Sequence, residues 1–375
     1  MNQKALKISL WRLCYFSGLV LWIIATIISS SELELGIIWN ILVRVSMGLA
    51  IMSVALRRVL KKSSLRSVLL VLAMFFFVLS TYTSYRMLHT FVFMICAIDL
   101  DFDEVLRVHA KAVGIVTAFV VVLSLLGIIN NVNTMRHLKA VRYLGFTAPL
   151  APILFCFVVL TFVAYKREYI RLSHIIAISA INIWLFAESQ VNAPFFTVFL
   201  ILLCAILLKK WNRLRNYQLS RKMKIAFIIL PLVAFAFSVI ISSIYTPNNP
   251  IMQAINVLVN GRWQLQKTAI ETYGLKLFGN NIQWEQSFAW GTEYLYVDSA
   301  FLKYALMNGL GFMALFVTYL IIVMKRICDD NNKFYLIVFT VIVIYGIFNP
   351  QLLYLEYNPF LLFPVFVIKD KVDMA

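Results

Sequence analysis

IAFIILPLVAFAFSVIISSIY, residues 225–245, runs for 21 residues without a charged side chain. Coiled as an α-helix, such a run rises about 30 Å, the thickness of a bilayer's hydrocarbon core. Lipid offers the backbone no hydrogen-bond partners, so the run crosses as a helix or not at all. Similar apolar runs fall at 10–30, 36–56, 67–83, 85–99, 112–130, 147–165, 170–188, 193–208, 299–324, 334–348 and 352–368, which makes twelve candidate spans. The first run lacks a clean small-residue cleavage site and another span follows at once, so it reads as a span and not as a cleaved signal. The expectation is an all-α polytopic membrane protein of about 12 transmembrane helices. Residues 1–375 form a single transmembrane domain without repeats, low-complexity tracts or an appended soluble unit. The stretch DLDFDEVLRVHAK, Asp99 to Lys111, is expected to be a separate amphipathic helix on the cytosolic surface.

Composition agrees. Hydrophobic residues make up 62% of the chain and charged residues 14%, against about half and about a quarter in a soluble domain. A net charge of +17 invites a nucleic-acid partner. Its distribution argues against one. With twelve spans and both termini cytoplasmic, 25 of the 34 Lys and Arg residues fall in cytosolic segments, as the bias that sets membrane orientation demands. The five cysteines, Cys14, Cys96, Cys156, Cys204 and Cys328, lie in or beside spans and show no disulfide or metal spacing.

The nine remaining cations are Arg44, Arg86, Arg136, Lys139, Arg142, Arg262, Lys267, Lys276 and Lys303. Arg44, Arg86 and Lys303 fall within spans, where ionisable groups are expensive and are functional candidates by default. The other six lie in two long outer segments, 130–147 and 246–298. The second is rich in aromatic and apolar positions and is expected to be a structured extracytoplasmic loop.

In the first segment Arg136, Lys139 and Arg142 are spaced three and three. A helix over Thr134 to Tyr143 aligns them in one cationic stripe. Guanidinium forks suit phosphate or pyrophosphate oxygens; the alternative is a solvated basic face against lipid headgroups. His137 lies between them and is a candidate base. In the second segment, NGRWQLQKTAIETYG (260–274) reads as a helix opening near Asn260 and closing at Gly274. At about 100° per residue, Arg262 and Gln266 land inside the apolar sector formed by Trp263, Leu265, Ala269, Ile270 and Tyr273. A cation there is costly unless it meets an anion, which singles out Arg262, with Gln266 beside it, as a ligand-binding residue; the alternative is snorkelling to the interface. Lys267 and Glu271, four apart, read as ordinary surface support. Lys303 follows Asp298 by five residues, and the two either pair or line one cavity. Glu293, Asp298 and Glu356 are the outward acids of interest. Trp263, Tyr273, Trp284, Trp290, Tyr294 and Tyr296 suit either sugar stacking or an interfacial belt. The chain has no P-loop, zinc motif or GxSxG elbow, and Asp101 and Asp103, which have DxD spacing, fall on the cytosolic side.

Four stretches carry a resemblance: RYLGFTAPLAP (142–152), VLVNGRWQLQKTAIETYGLKLFG (257–279), VDSAFLKYALMNGLGF (297–312) and NPQLLYLEYNPFL (349–361). With their Arg–LGF, GR…YG…LFG and Asp-led span start, they resemble the Wzy-type O-antigen and capsular polysaccharide polymerases. Where that family has D-N-x-Y, this chain has Asp298-Ser299-Ala300-Phe301. The resemblance implies a metal-independent, cofactor-free glycosyltransferase of the GT-C type, in the cytoplasmic membrane, that joins undecaprenyl-pyrophosphate-linked oligosaccharides at the outer face. It implies a flippase and a chain-length regulator as partners, with membrane lipid around the chain. Arg142 and Arg262, supported by Arg136, would hold pyrophosphate, with Gln266 and Lys303 in the same substrate-binding set. His137, Glu293 or Asp298 would be the base. Two other readings stay open: a transporter of the same lipid-linked units, and a ligase passing finished polymer to another acceptor.

Overall fold

Where the sequence is apolar and uncharged, the backbone closes its hydrogen bonds within itself, and helices follow. The computed structural model describes residues 3–56, 64–80, 85–97, 100–136, 139–282, 284 and 295–363. The elements in order are α1 (Gln3–Ile28), α2 (Ile37–Ala55), α3 (Ser64–Ser80), α4 (Tyr85–Cys96), α5 (Phe102–Leu125), the hairpin β1 (Asn133–Arg136) and β2 (Lys139–Arg142), α6 (Leu150–Lys166), α7 (Leu172–Ser189) and α8 (Asn192–Lys210). Then come α9 (Asn212–Asn216), α10 (Arg221–Ile244), α11 (Pro250–Leu258), α12 (Arg262–Tyr273), α13 (Ala300–Asp329) and α14 (Lys333–Tyr345). Starts are set by side-chain caps: Asp101 accepts from Asp103 N, Ser220 from Met223 N, Ser299 from Leu302 N and Asn332 from Tyr335 N.

Among the described residues, seven helices are long and apolar enough to cross a membrane: Leu10–Ile28 of α1, then α2, α5, α7, α8, α10 and α13. Shorter apolar helices are Arg86–Cys96, α6 and α14. The exposure pattern makes the case for lipid. α7 and α10 bury only 17% and 22% of their apolar windows, and side chains such as Ile176, Ile183, Leu232 and Phe237 look outward. Apolar surface on this scale is not stable in water. Leu10–Ile28 of α1, α5 and α13 bury 61%, 50% and 56% and form the centre. The chain is therefore an all-α membrane protein. α1 and α2 touch through small residues: a Cβ on Gly18 would meet Ser46 O at 2.8 Å, and Ser46, Ala50 and Ser53 are buried beside it.

Three expectations fail against this architecture. The Asp99–Lys111 stretch is no separate surface helix: residues 102–111 are the first turns of α5, and Val105, Leu106, His109 and Ala110 are buried. The helix expected over Thr134–Tyr143 is a hairpin. The span expected at 352–368 is not an α-helix over its described part. It is two 3-10 turns, Pro350–Leu353 and Pro359–Leu362, joined by irregular chain. Pro350 and Pro359 remove backbone donors, and Asn349 and Asn358 cap the turns that follow them.

This irregular segment nevertheless traverses the bundle. At one end Arg262 Nη1 donates to Phe348 O at 2.7 Å. At the other, Phe363 stacks edge-on against Phe102, where α5 begins. From Leu352 to Phe363 every residue is buried except the half-buried Tyr354. Irregular backbone at membrane depth is tolerated only inside protein that satisfies it. Here side chains from the central helices supply the donors: Tyr304 OH to Pro350 O at 2.8 Å, Tyr319 OH to Leu361 O at 2.6 Å, and the His109 ring to Leu355 O at 2.8 Å. Asn358 Nδ2 donates to Leu352 O at 2.9 Å.

α13 is also interrupted. Gly309 has φ 91° and ψ 167°, outside the helical region. The loop after α12 fills the break: Leu310 N donates to Lys276 O, Gly311 N to Leu277 O and Asn280 N to Leu306 O, at 2.9, 3.1 and 2.9 Å. The approach leaves no room for a side chain. A Cβ on Gly309 would sit 2.1 Å from Leu277 O, and one on Gly279 2.2 Å from Met307 O.

Candidate functional site

The C-terminal ends of α1, α5, α7, α10 and α14 gather at one end of the bundle with the hairpin, α11, α12 and the start of α13. The ties are direct. Glu32 N donates to Gly145 O, Arg86 Nη2 to Ser29 Oγ and Lys267 Nζ to Tyr245 O. The sequence-selected cations that the structure describes fall at this end, except Arg44, which is exposed on α2.

Arg262 opens α12 after a left-handed Gly261. Asn256 of α11 caps the new helix, its Oδ1 accepting from Trp263 N at 3.0 Å and Gln264 N at 3.4 Å. A cation at a helix N-terminus opposes the helix dipole, and Asp298 compensates: Arg262 Nε lies 2.9 Å from its Oδ2. Lys303, one turn into α13 and buried, donates to Tyr296 OH at 2.8 Å and lies over the Tyr296 ring at 4.4 Å. Burial raises the Asp298 carboxyl above its ordinary value, while Arg262 and Lys303 pull the other way. One carboxylate in a partly buried niche is thus held directly by Arg262 and feels Lys303 at longer range. The Arg262 guanidinium is fixed by Asp298 at Nε and by Phe348 O at Nη1. Gln266 is buried as its apolar-sector position requires, with its Oε1 accepting from Ser242 Oγ at 2.6 Å. It braces α12 against α10. Lys267 and Glu271 pair at 3.7 Å, as their spacing suggests.

A second ion pair lies next to the first. Glu356, almost fully buried, is 3.8 Å from Arg86. Tyr304, the neighbour of Lys303, donates to Pro350 O at 2.8 Å, so residues 348–356 link Arg262, through Phe348 O, with Glu356 and its partner Arg86.

The first outer segment behaves differently from its expectation. Arg136 pairs across the hairpin with Lys139, and Arg142 with Asn133. Spacing of three aligns side chains on a helix and not along a strand, so the helical stripe does not form. Arg142 is 56% exposed and reaches Glu188 at the end of α7, 3.5 Å away. His137 and Glu293 lie outside the described residues. The structure thus joins Arg262, Asp298, Lys303 and Gln266 at one place and sets Arg142 apart from them by its own acid partner. Sequence reasoning missed Glu188 and the Arg86–Glu356 pairing. A signal is present, since a cation set against the topological bias calls for a matching acid. Asp101 and Asp103 serve structure at the opposite end: Asp101 caps α5, and Asp103 takes Arg167 at 2.8 Å.

No known protein family, curated protein or solved structure matches the chain.

Proposed function

We propose that the protein is a membrane glycosyltransferase that polymerises undecaprenyl-pyrophosphate-linked oligosaccharide repeats at the outer face of the cytoplasmic membrane. The observation that carries this reading is the niche at the mouth of an apolar bundle in which Asp298 is held by Arg262 and feels Lys303 at longer range. Such a niche keeps positive charge in surplus where a lipid-anchored anion would present itself. The acceptor hydroxyl oxygen attacks the anomeric carbon of the donor. The bond from that carbon to pyrophosphate breaks, and its electron pair leaves with the pyrophosphate. Prepositioned guanidinium stabilises the charge that builds on this leaving group. The hydroxyl proton passes to a base, for which the Asp298 carboxylate is the described candidate beside Glu293 and His137.

The test is lengthening of a lipid-linked oligosaccharide by purified protein in detergent, read by mass. A ladder is expected, and Arg262→Gln is expected to reduce it by about 10²–10³-fold. The swap of Arg262→Asp with Asp298→Arg retains an ion pair and reports on folding. Normal ladders from Arg262→Gln would remove that residue from the reaction, and a single addition would mean a ligase. A transporter is the second reading, favoured by the break at Gly309, since transporters use interrupted helices for substrate. It predicts no lengthening in detergent.

A further inference from the structure

The other end of the bundle holds a cleft that the proposed reaction does not use. Between α5 and α6 a polar cavity of about 470 Å³ is lined by Arg107, Lys111, Tyr165, Lys166 and Tyr169. Arg107 and Lys111 are one turn apart on α5, and Lys166 ends α6. None of the three makes an ion pair with a described residue. Of the nearby acids whose side chains are described, Asp103 is engaged by Arg167 at 2.8 Å and Glu104 by Arg12 at 3.8 Å. The cavity therefore has three cations and two phenolic hydroxyls facing a common space.

It continues into a second, apolar cavity of about 220 Å³, which shares Lys111 and Tyr165 and runs along Phe155, Val158, Phe162 and Ile178. On α6, residues 155, 158, 162 and 166 follow one another at three or four positions and share a face. From Phe155 to Lys166 the helix rises about 16 Å, close to one leaflet of a hydrocarbon core of about 30 Å. The track opens sideways between α6 and α7, where Ala177 is exposed.

We infer that this cleft is a binding site for an anionic glycerophospholipid, its phosphate held by Arg107, Lys111 and Lys166 and one acyl chain laid along the α6 track. Charge complementarity selects the headgroup, because a zwitterionic lipid brings its own cation into a space that already has three. The apolar track, continuous with the cationic mouth, selects a lipid over a free phosphate. A bound lipid here fills the seam between α5, α6 and α7 at the end where α6 and α7 are joined.

The full chain purified in neutral detergent is mixed with phosphatidylglycerol or phosphatidylcholine. Retained lipid is weighed by native mass spectrometry, and thermal unfolding is followed in parallel. Phosphatidylglycerol is expected to be retained preferentially and to raise the unfolding midpoint. Substituting Arg107→Gln, Lys111→Gln and Lys166→Gln together is expected to cut that retention about a hundredfold. Lys210→Gln with Arg213→Gln, exposed cations at the same end, is expected to leave it intact. Ala177→Trp keeps every cation and obstructs the track, so it tests the acyl half without touching the charges and is expected to weaken retention. Equal retention of both lipids overturns the inference. So does undiminished retention in the triple variant or in Ala177→Trp, or displacement of phosphatidylglycerol by inorganic phosphate or by a polyprenyl phosphate.

Discussion

Replacing Gly309 by alanine is expected to unlatch the loop after α12 from α13. The added Cβ would lie 2.1 Å from Leu277 O and 2.5 Å from Gly279 N, both backbone atoms that cannot rotate away. The conformation at φ 91° and ψ 167° is itself restricted to glycine and costs another residue about 1–3 kcal/mol. Moving the loop to relieve the clash forfeits the three backbone hydrogen bonds that bridge the break, at about 1 kcal/mol each. The total is roughly 4–6 kcal/mol. Gly279→Ala attacks the same contact from the loop side, with its Cβ 2.2 Å from Met307 O, and is expected to cost a similar amount. Since the three hydrogen bonds are lost only once while each site keeps its own backbone strain, the double variant loses roughly 5–9 kcal/mol and the coupling in a double-mutant cycle is about 3 kcal/mol. Unfolding by titrated SDS in mixed micelles measures all three. A Gly309→Ala variant within about 1 kcal/mol of the parent, or two losses that simply add, would refute the reasoning.

Tyr319→Phe leaves the carbonyl of buried Leu361 without its donor and is expected to cost about 1–3 kcal/mol in the same assay; a neutral result would mean that the irregular segment is not held as described. Glu188→Gln releases Arg142, but with that side chain 56% exposed stability is expected to change by less than about 0.5 kcal/mol, and a larger loss would show the pair to be structural. Burial raises the Asp298 carboxyl above its ordinary value near 3.8, so the unfolded chain gives up that proton first. The corresponding stability is complete below the ordinary value and is lost as pH rises through the raised one. Wild type is expected to show this fall and Asp298→Asn to lack it; identical pH slopes in the two proteins would contradict the assignment.

Much of the fold was legible because apolar run length reports directly on helices in lipid. α12 was legible to within two residues at its start, since Gly261 and Gly274 bracket a pattern whose buried positions, Trp263, Gln266 and Ala269, fall where the wheel puts them. The pairing of Arg262 with Asp298 was not legible. Each residue stood out alone, but 36 positions of sequence separate them and only the docking of α12 on α13 closes the gap. The hairpin at 133–142 was misread because three-residue charge spacing says nothing about strand or helix when no apolar period accompanies it. The span at 352–368 was misread for the opposite reason. Apolar content alone shows burial, and it is Asn358 followed by Pro359, a cap and a missing donor inside the expected span, that starts a new turn there.

That segment has a consequence for how the molecule is assembled. A membrane helix is self-sufficient and can enter the bilayer before its neighbours arrive. Residues 350–363 cannot, because their carbonyls have no partners until Tyr304, Tyr319 and His109 are already standing in position. Placed in the chain after every helix that receives it, the segment behaves as a keystone, seated last. Any substitution that delays the meeting of α5 with α13 leaves it stranded, with its polar backbone facing hydrocarbon.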